Sequence, residues 1–349
     1  PPPQNEGESG LLIQIPPMEN ETLLIENGVA QQTQSTITFL QVDNTEDNDN
    51  LSQCNDDIDF DCSLRGAVKH TVGKYPQSFV IRIRNGTYLI SDSLRLIGNI
   101  QLVGEEANRS KLPNVIIESA TNNFHLIGID SHGINGISNV AIYNITVQNS
   151  GGAFNTFKIS NSKVSIYNSK FYNNSRTENG GAIIWNDSSS LSPSNIKIVN
   201  TVFESNHAYM GGAIVAQTSI GSMLLECVTF EGNLADYRGG AIGTYYQSFR
   251  GNITIRNSNF INNESPNAGA LYREDGAIEF KNNFWDPLYS TIPDKDNSVI
   301  NQGTTGIVFD EPDPPLSTRH EPSCYVPPPA SGECLAQITS TPALPNGFT

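Results

Sequence analysis

The twelve residues NITIRNSNFINN (252–263) have counterparts in NIKIVNTVFESN (195–206), KVSIYNSKFYNN (163–174) and SMLLECVTFEGN (222–233). The copies recur at uneven intervals. Aligned on the central asparagine, one column holds Asn144, Asn168, Asn200, Cys227, Asn257 and Asn282. Two residues earlier stand Ile142, Ile166, Ile198, Leu225, Ile255 and Phe280. Two before those stand Val140, Val164, Ile196, Met223, Ile253 and Ile278. Three residues after the asparagine comes a large apolar residue: Val147, Phe171, Phe203, Phe230, Phe260 or Trp285. Four copies add a further asparagine: Asn174, Asn206, Asn233 and Asn263. After a variable loop, GGAI starts at Gly180, Gly211 and Gly239, AGAL at Ala268 and GGAF at Gly151.

Apolar residues alternating with period two describe strands with one buried and one wet face. Lys197, Glu226 and Arg256 fall on the wet side. Repeated β-branched residues, Gly and Asn exclude helices here. Internal repetition at this period means a solenoid or a propeller, and a propeller blade needs four antiparallel strands in roughly 40–45 residues. These units are shorter and lack tight hairpin turns. The expected fold is all-β: a single right-handed parallel β-helix in which each copy is one coil. Equivalent residues then stack about 4.8 Å apart. Asn suits the left-handed backbone of a sharp corner, and its amide can bond the coils on both sides. The phenylalanines fill the core. Extra residues leave as loops at corners, so uneven spacing is no obstacle. Weaker copies at FVIRIRNGTYLI (79–90), LRLIGNIQLVGE (94–105), NVIIES (114–119) and HLIGID (125–130) bring the stack to about eight or nine coils, roughly 40 Å long. Cys227, in an asparagine slot, reads as a small buried hydrophobe.

The chain has 349 residues and a net charge of −16, with 20 Lys and Arg against 36 Asp and Glu. No basic patch offers itself to nucleic acid. No run of eighteen apolar residues offers itself to a bilayer. A leading proline is expected of a processed chain or a fragment. Of the five cysteines, Cys54 and Cys62 are close in sequence, as are Cys324 and Cys334. Two short-loop disulfides are expected, leaving Cys227 alone and implying an oxidising, extracellular compartment. Asn-x-Ser/Thr sequons stand at Asn20, Asn50, Asn85, Asn108, Asn144, Asn173, Asn186, Asn252 and Asn263. An Asn-rich composition alone would supply several of these. The candidate glycan sites are Asn20, Asn50, Asn85, Asn108, Asn173, Asn186 and Asn252, because Asn144 occupies the ladder column.

An open stack needs its raw ends covered. In FDCSLRGAVKHTVGKYP (60–76), Ser63 can cap a short helix, with Leu64, Ala67, Val68 and Val72 on one side. DCSLRGAV, followed by NGTYLI and LRLIGNIQLVGE, resembles the CSLREA-type segment at the start of β-helical bacterial surface proteins. The FxxN and GGAI repeats resemble those of the chlamydial polymorphic outer-membrane proteins. NNFWD, followed by GIVFDEP, is similar to the closing coil of secreted parallel β-helices. Together these cover roughly residues 54–314 and imply the fold. They say little about function, since one fold hosts adhesins, lyases and structural proteins. Gly66 stands where the signature has Glu, so the Ser-x-x-Glu capping box is absent and a weaker helix is expected.

The expected organisation is an extended arm or extra strands at 1–53, the β-helix at 54–314 and a Pro-rich tail at 315–349. The apolar stretches GLLIQI, TLLIE and TITFLQV either lie along the stack or form an arm that pairs with another subunit. DNTEDNDN and NDDIDFD invite a Ca²⁺ reading but lack the Gly and closing Glu of an EF-hand loop, which favours a solvated acidic loop. No cofactor is expected. A polysaccharide-cleaving site would need paired carboxylates in one register. Asp130, Glu178, Asp187, Asp236, Glu274 and Asp275 sit at differing offsets instead, and His132 reads as structural. Trp185, Tyr245, Tyr246 and Tyr272 follow the Gly-rich corners and form a candidate sugar-stacking strip. The function expected is that of a non-enzymatic extracellular adhesin or fibre building block at the cell surface. Its partners would be further copies of itself or carbohydrate, with a polysaccharide lyase or hydrolase, or a sugar-binding module, as the alternatives.

Overall fold

A computed structural model describes residues 37–310, apart from 55–59, 106–112, 122–124, 131–136, 151–156, 187–192, 218–220, 246–248, 275, 286–298 and 302–306, together with residues 25–26 and 29–30. The chain divides into two compact units, Pro1–Thr36 and Ile37–Thr349. In the first, Ile25–Glu26 pairs antiparallel with Val29–Ala30.

In the second unit, successive strands are dealt in turn to three parallel sheets. The first sheet has ten strands: Ile37–Val42, Ser78–Ile83, Asn99–Gly104, Ser138–Tyr143, Ser162–Tyr167, Asn195–Val199, Ser222–Glu226, Asn252–Arg256, Ala277–Lys281 and Ile307–Asp310. The second has eight, from Gly86–Ile90 to Phe284–Trp285, and the third eight, from Leu94–Leu96 to Val299–Asn301. This is a parallel β-helix of eight full coils with one extra first-sheet strand at each end. Ile37–Val42 pairs in parallel with Ser78–Ile83. Within the expected arm or extra strands at 1–53, ITFLQV (37–42) is thus a strand of the chain's own first sheet. GLLIQI lies outside the described residues.

The sequence columns are registered pairs in space. Ile142, Ile166, Ile198, Leu225, Ile255 and Phe280 are aligned strand to strand, and all six are buried. In the second sheet Phe171, Phe203, Phe230, Phe260 and Trp285 stack face to face, with ring centroids 4.9, 5.2, 5.1 and 4.6 Å apart. The separations match the layer spacing of parallel strands, so each ring covers the next without leaving register. Each such pair contributes about 0.5–1.5 kcal/mol beyond the area it buries.

The helix Leu64–Thr71 covers the start of the stack. Ser63 caps it by accepting from the Gly66 amide at 2.9 Å. Leu64, Ala67, Val68 and Thr71 face inward. Val72 does not, because the helix ends before it and its backbone is extended, leaving it 58% exposed. The departure from the signature has a steric cause. A Cβ at Gly66 would lie 1.8 Å from the Leu51 carbonyl oxygen, and that oxygen accepts from the Ser63 amide. The 44–54 loop thus occupies the place a glutamate side chain would need. Asp47 of this loop holds Arg65 of the helix at 2.6 and 3.0 Å and accepts from the Ser91 amide at 2.6 Å. Burial alone would raise the Asp47 carboxyl, but Arg65 and Ser91 together hold it below the usual value.

Candidate functional site

Two asparagine ladders run up the corner between the first and second sheets and the corner after the second. The outer one is the column expected from sequence. Asn144, Asn168, Asn200, Asn257 and Asn282 all have φ between 48° and 57°. Asn168 donates to Asn144 at 3.2 Å, Asn200 to Asn168 at 2.9 Å and Asn282 to Asn257 at 2.7 Å. Each amide points to the preceding coil. The inner ladder, Asn174, Asn206, Asn233 and Asn263, is more deeply buried. Its amides donate both ways, to a carbonyl of the coil before (Val147, Phe171 and Phe203) and to the asparagine of the coil after: Asn174 to Asn206 at 2.9 Å, Asn206 to Asn233 at 2.9 Å and Asn233 to Asn263 at 2.8 Å. Each of the three inner oxygens so used also accepts a backbone N–H from the coil before. At the Gly-rich corner the second glycine is obligatory, because a Cβ at Gly181, Gly212 or Gly240 would lie 2.2–2.3 Å from a carbonyl oxygen of the next coil.

Cys227 continues the outer column at φ 54°, but it is half-buried and disulfide-bonded, so it is neither the lone cysteine nor the inert hydrophobe expected from the sequence. Cys54 bonds Cys62, as the spacing predicted. The partner of Cys227 is not among the described residues, and the expected Cys324–Cys334 pair also lies outside them.

The acidic candidates face bases rather than one another. Asp130 accepts from Arg95 at 3.0 and 3.1 Å, Glu178 pairs with Arg176, Asp236 with His207 at 2.8 Å and Glu274 with Arg238 at 3.6 Å. Asp187, Asp275 and His132 lie outside the described residues. In the acidic loop Asp43 receives the Phe60 and Cys62 amides, while Asp47 and Asp49 pair with Arg65 and Lys69. Among the described residues no group of three or more His, Cys, Asp or Glu is placed to hold a metal ion.

The sugar-strip candidates separate. Trp185 is fully buried in the core, edge-on to Phe249 at 5.5 Å, because it shares the inward parity of Ile183. Tyr272 is 1% exposed, and Tyr246 lies outside the described residues. The surface aromatics come instead from a short fourth sheet that the sequence reading missed. Strands His207–Met210 and Leu234–Arg238 pair in parallel with a bulge, and single bridges add residues 175, 179, 264 and 267. Tyr209, 44% exposed, stacks on Tyr237 with centroids 5.2 Å apart. The Arg238 guanidinium lies 4.4 Å from the rings of both Tyr237 and Tyr272. Among the described residues the buried Tyr272 hydroxyl has no hydrogen-bond partner. Burial pushes its acidity constant up, with Arg238 opposing. The signal for this platform was present in HAYMGG and ADYRGG, where a tyrosine precedes each glycine pair by two positions.

Of the sequons, Asn50, Asn85, Asn173 and Asn252 are exposed, Asn186 is half-buried, and Asn144 and Asn263 are buried. Asn20 and Asn108 lie outside the described residues.

Residues 228–245 match the Chlamydia polymorphic membrane protein repeat. The matched segment holds Phe230, the inner-ladder Asn233 and the glycine pair 239–240. The chain's resemblance to the polymorphic membrane protein repeat thus rests on one half-coil of the same phenylalanine, asparagine and glycine columns that build the stack. Among solved structures the chain is similar to Geobacillus virus E2 ORF18, at 11% identity and a TM-score of 0.35, over 68% of this chain. It spans about half, 54%, of that chain. No curated protein matches.

Proposed function

We propose that this protein is a non-enzymatic β-helix displayed at the cell surface, where it works as an adhesive or structural module. The observation that carries this reading is the use of the acids: every carboxylate in the candidate set that the structure describes is turned to a basic side chain. A hydrolase or lyase keeps its carboxylates near one another and near substrate. The repeat match supports a surface setting, since the matching family is one of membrane proteins. The Cys54–Cys62 bond supports an oxidising compartment. N-glycans at the exposed sequons belong to the same reading.

Adhesion is tested with beads carrying the purified chain, scored for retention on cultured cells. Retention that survives mild washing is expected. Bare-bead behaviour, or turnover of an acidic polysaccharide lost in Asp236→Asn, would overturn the reading. Self-assembly through residues 1–36 is the structural version of it. Sedimentation of the chain with and without that segment should separate oligomer from monomer, and monomer in both would end it.

A second reading, sugar recognition, is favoured by the Tyr209–Tyr237 stack. The exposed Tyr209 ring, backed by the half-buried Tyr237 and flanked by an arginine and an ion pair, suits a pyranose face with polar edges. Binding to a neutral-glycan array that is abolished in Tyr209→Ala and kept in Tyr209→Phe is the result this reading requires.

A further inference from the structure

The chain has five Asn-Gly pairs, of which Asn85–Gly86 and Asn179–Gly180 lie among the described residues. An asparagine before glycine is the one most open to attack by its own main chain. A residue without Cβ neither shields its nitrogen nor restricts the nitrogen's approach. The two pairs stand in opposite surroundings. Asn179 is half-buried, its Oδ1 is fully buried, and the Gly180 amide is bonded to the Met210 carbonyl at 2.8 Å. A Cβ on Gly180 would lie 2.7 Å from the Ile183 carbonyl oxygen, so this corner is closely packed. Asn85 is exposed, and its carboxamide has no hydrogen bond to a described residue. Only its backbone amide is engaged, by Glu105 at 3.2 Å. The Gly86 amide is held by the Asn114 carbonyl at 3.2 Å, the long end of the hydrogen-bond range.

The corner itself differs as well. Ile83, Arg84 and Asn85 stand between Arg82 and Gly86, at the place where a later coil has Asn144 alone between Tyr143 and Ile145. Asn85 therefore stays out of the outer ladder. The ladder carboxamides of Asn144, Asn168 and Asn200 are each bonded to the preceding coil. Asn85, Gly86 and Thr87 also form a sequon, and Thr87 is exposed. The side-chain nitrogen that a glycan would occupy is thus the one that deamidation would expel.

We infer that Asn85–Gly86 is a site of spontaneous deamidation in the folded chain, and that a glycan on Asn85 blocks it. The Gly86 nitrogen leaves the Asn114 carbonyl, gives its proton to solvent and attacks Cγ of Asn85. The new N–Cγ bond closes a succinimide ring, the Cγ–Nδ2 bond breaks, and ammonia departs with a proton from water. Water then adds to either ring carbonyl and leaves aspartate or isoaspartate at position 85. The sum is one water gained and one ammonia lost, with no oxidant or reductant. A sugar on Nδ2 crowds Cγ and takes away the small leaving group. Either product places a carboxylate beside Glu105, whose carboxylate already accepts from the Asn85 amide. Isoaspartate also adds one main-chain atom, which a corner of this width can absorb and the single-residue corner at Asn144 cannot. The protection rests on the reading of Asn85 as a glycan site, whereas the deamidation does not.

The test ages the full chain, made in a host without N-glycosylation, in mildly alkaline heavy-oxygen water and maps its peptides over time. Position 85 should take up heavy oxygen and split into aspartate and isoaspartate at least about ten-fold faster than Asn144, Asn168, Asn179 or Asn200 react, because those sites wait for the stack to open. A Cβ at position 86 would meet the Thr45 and Tyr88 side chains at 3.1 and 3.7 Å and no backbone atom, so Gly86→Ala should keep the fold by circular dichroism. It should slow the reaction about ten-fold, by shielding the nitrogen and narrowing its approach. Ageing at position 85 no faster than at the ladder sites, or a rate unchanged in Gly86→Ala, would overturn the deamidation. Chain from a glycosylating host is aged beside its Thr87→Ala variant, which loses the sequon and keeps the Asn-Gly pair. Glycosylated molecules should retain Asn85 while Thr87→Ala ages at the unglycosylated rate. Equal ageing of the two, or a wild type without glycan at Asn85, would overturn the protection, and the unglycosylated chain decides the deamidation by itself.

Discussion

Asn206 is the position at which the stack can be probed most sharply. Its side chain donates to the Phe171 carbonyl at 3.1 Å and to Asn233 at 2.9 Å. Its oxygen accepts both the backbone amide and the side-chain amide of Asn174, at 3.1 and 2.9 Å. Asn206→Ala removes all four bonds at a site with no measurable exposure. Asn174 keeps its bond to Val147 and Asn233 still receives the Asn206 backbone, so the cost is that of the four bonds themselves. At about 0.5–1.5 kcal/mol for each, the loss is roughly 2–6 kcal/mol. Asn200→Ala in the outer ladder is the control. It removes one donated bond at a half-buried corner and places Ala at φ 48°, together worth about 1–2 kcal/mol. Urea titrations followed by circular dichroism would give both midpoints, and their difference should exceed 1 kcal/mol at constant slope. Equal midpoints would refute the claim that the inner ladder, rather than the corner geometry, ties coil to coil.

Tyr88 is held neutral by burial, with Glu105 and Asp43 adding to the effect, and its acidity constant rises to about 12. Its contribution is complete below pH 10 and lost as pH rises toward 12, so an alkaline melt should show a step that Tyr88→Phe removes. Asp47 runs the opposite way: its folded value is lowered, so its contribution is present above the usual carboxylate range and lost as pH falls through the folded value. Asp47→Asn should therefore lower stability at neutral pH and flatten its acid limb, read from thermal melts across pH. Glycan mapping of secreted protein should find occupancy at Asn50, Asn85, Asn173 or Asn252 and none at Asn144 or Asn263, whose amides are spent inside the stack. Occupancy at Asn144 would contradict the register. Gly212→Ala should misfold or lower the yield, because its Cβ would meet the Gly240 carbonyl at 2.2 Å; normal melting would show that the corner can move.

The columns were legible from sequence because in-register stacking forces one residue type to recur at one place, and Phe203, Phe230 and Phe260 answer to nothing else. Asn174, Asn206, Asn233 and Asn263 were equally visible, but their depth was not, since polarity in a string of letters reads as surface. Trp185 misled for the complementary reason: a large ring beside a corner is ambiguous until the parity of Ile183 is known. The place of Ile37–Val42 in the first sheet was hidden because that strand has no corner asparagine and no glycine pair to align. Tyr209 and Tyr237 were overlooked because their sheet consists of two short strands joined only by bridges to the coils on either side. Cys227 shows the limit of reading a column by its neighbours: an asparagine slot gives no sign that its occupant is disulfide-bonded.

The bonding of the two amide files bears on how many coils such a stack can hold. The outer file donates toward the amino end, whereas each inner amide splits its two protons between a carbonyl of the coil before and the asparagine of the coil after, so every added layer meets the same partners as the last. The chain length of a further turn would hardly matter either, because the outer-ladder rungs already sit 24, 32 and 25 residues apart with equivalent bonds. Duplication or loss of a whole turn is thus the change this architecture tolerates most readily, whereas a single residue inserted between corner and ring would throw every file out of line.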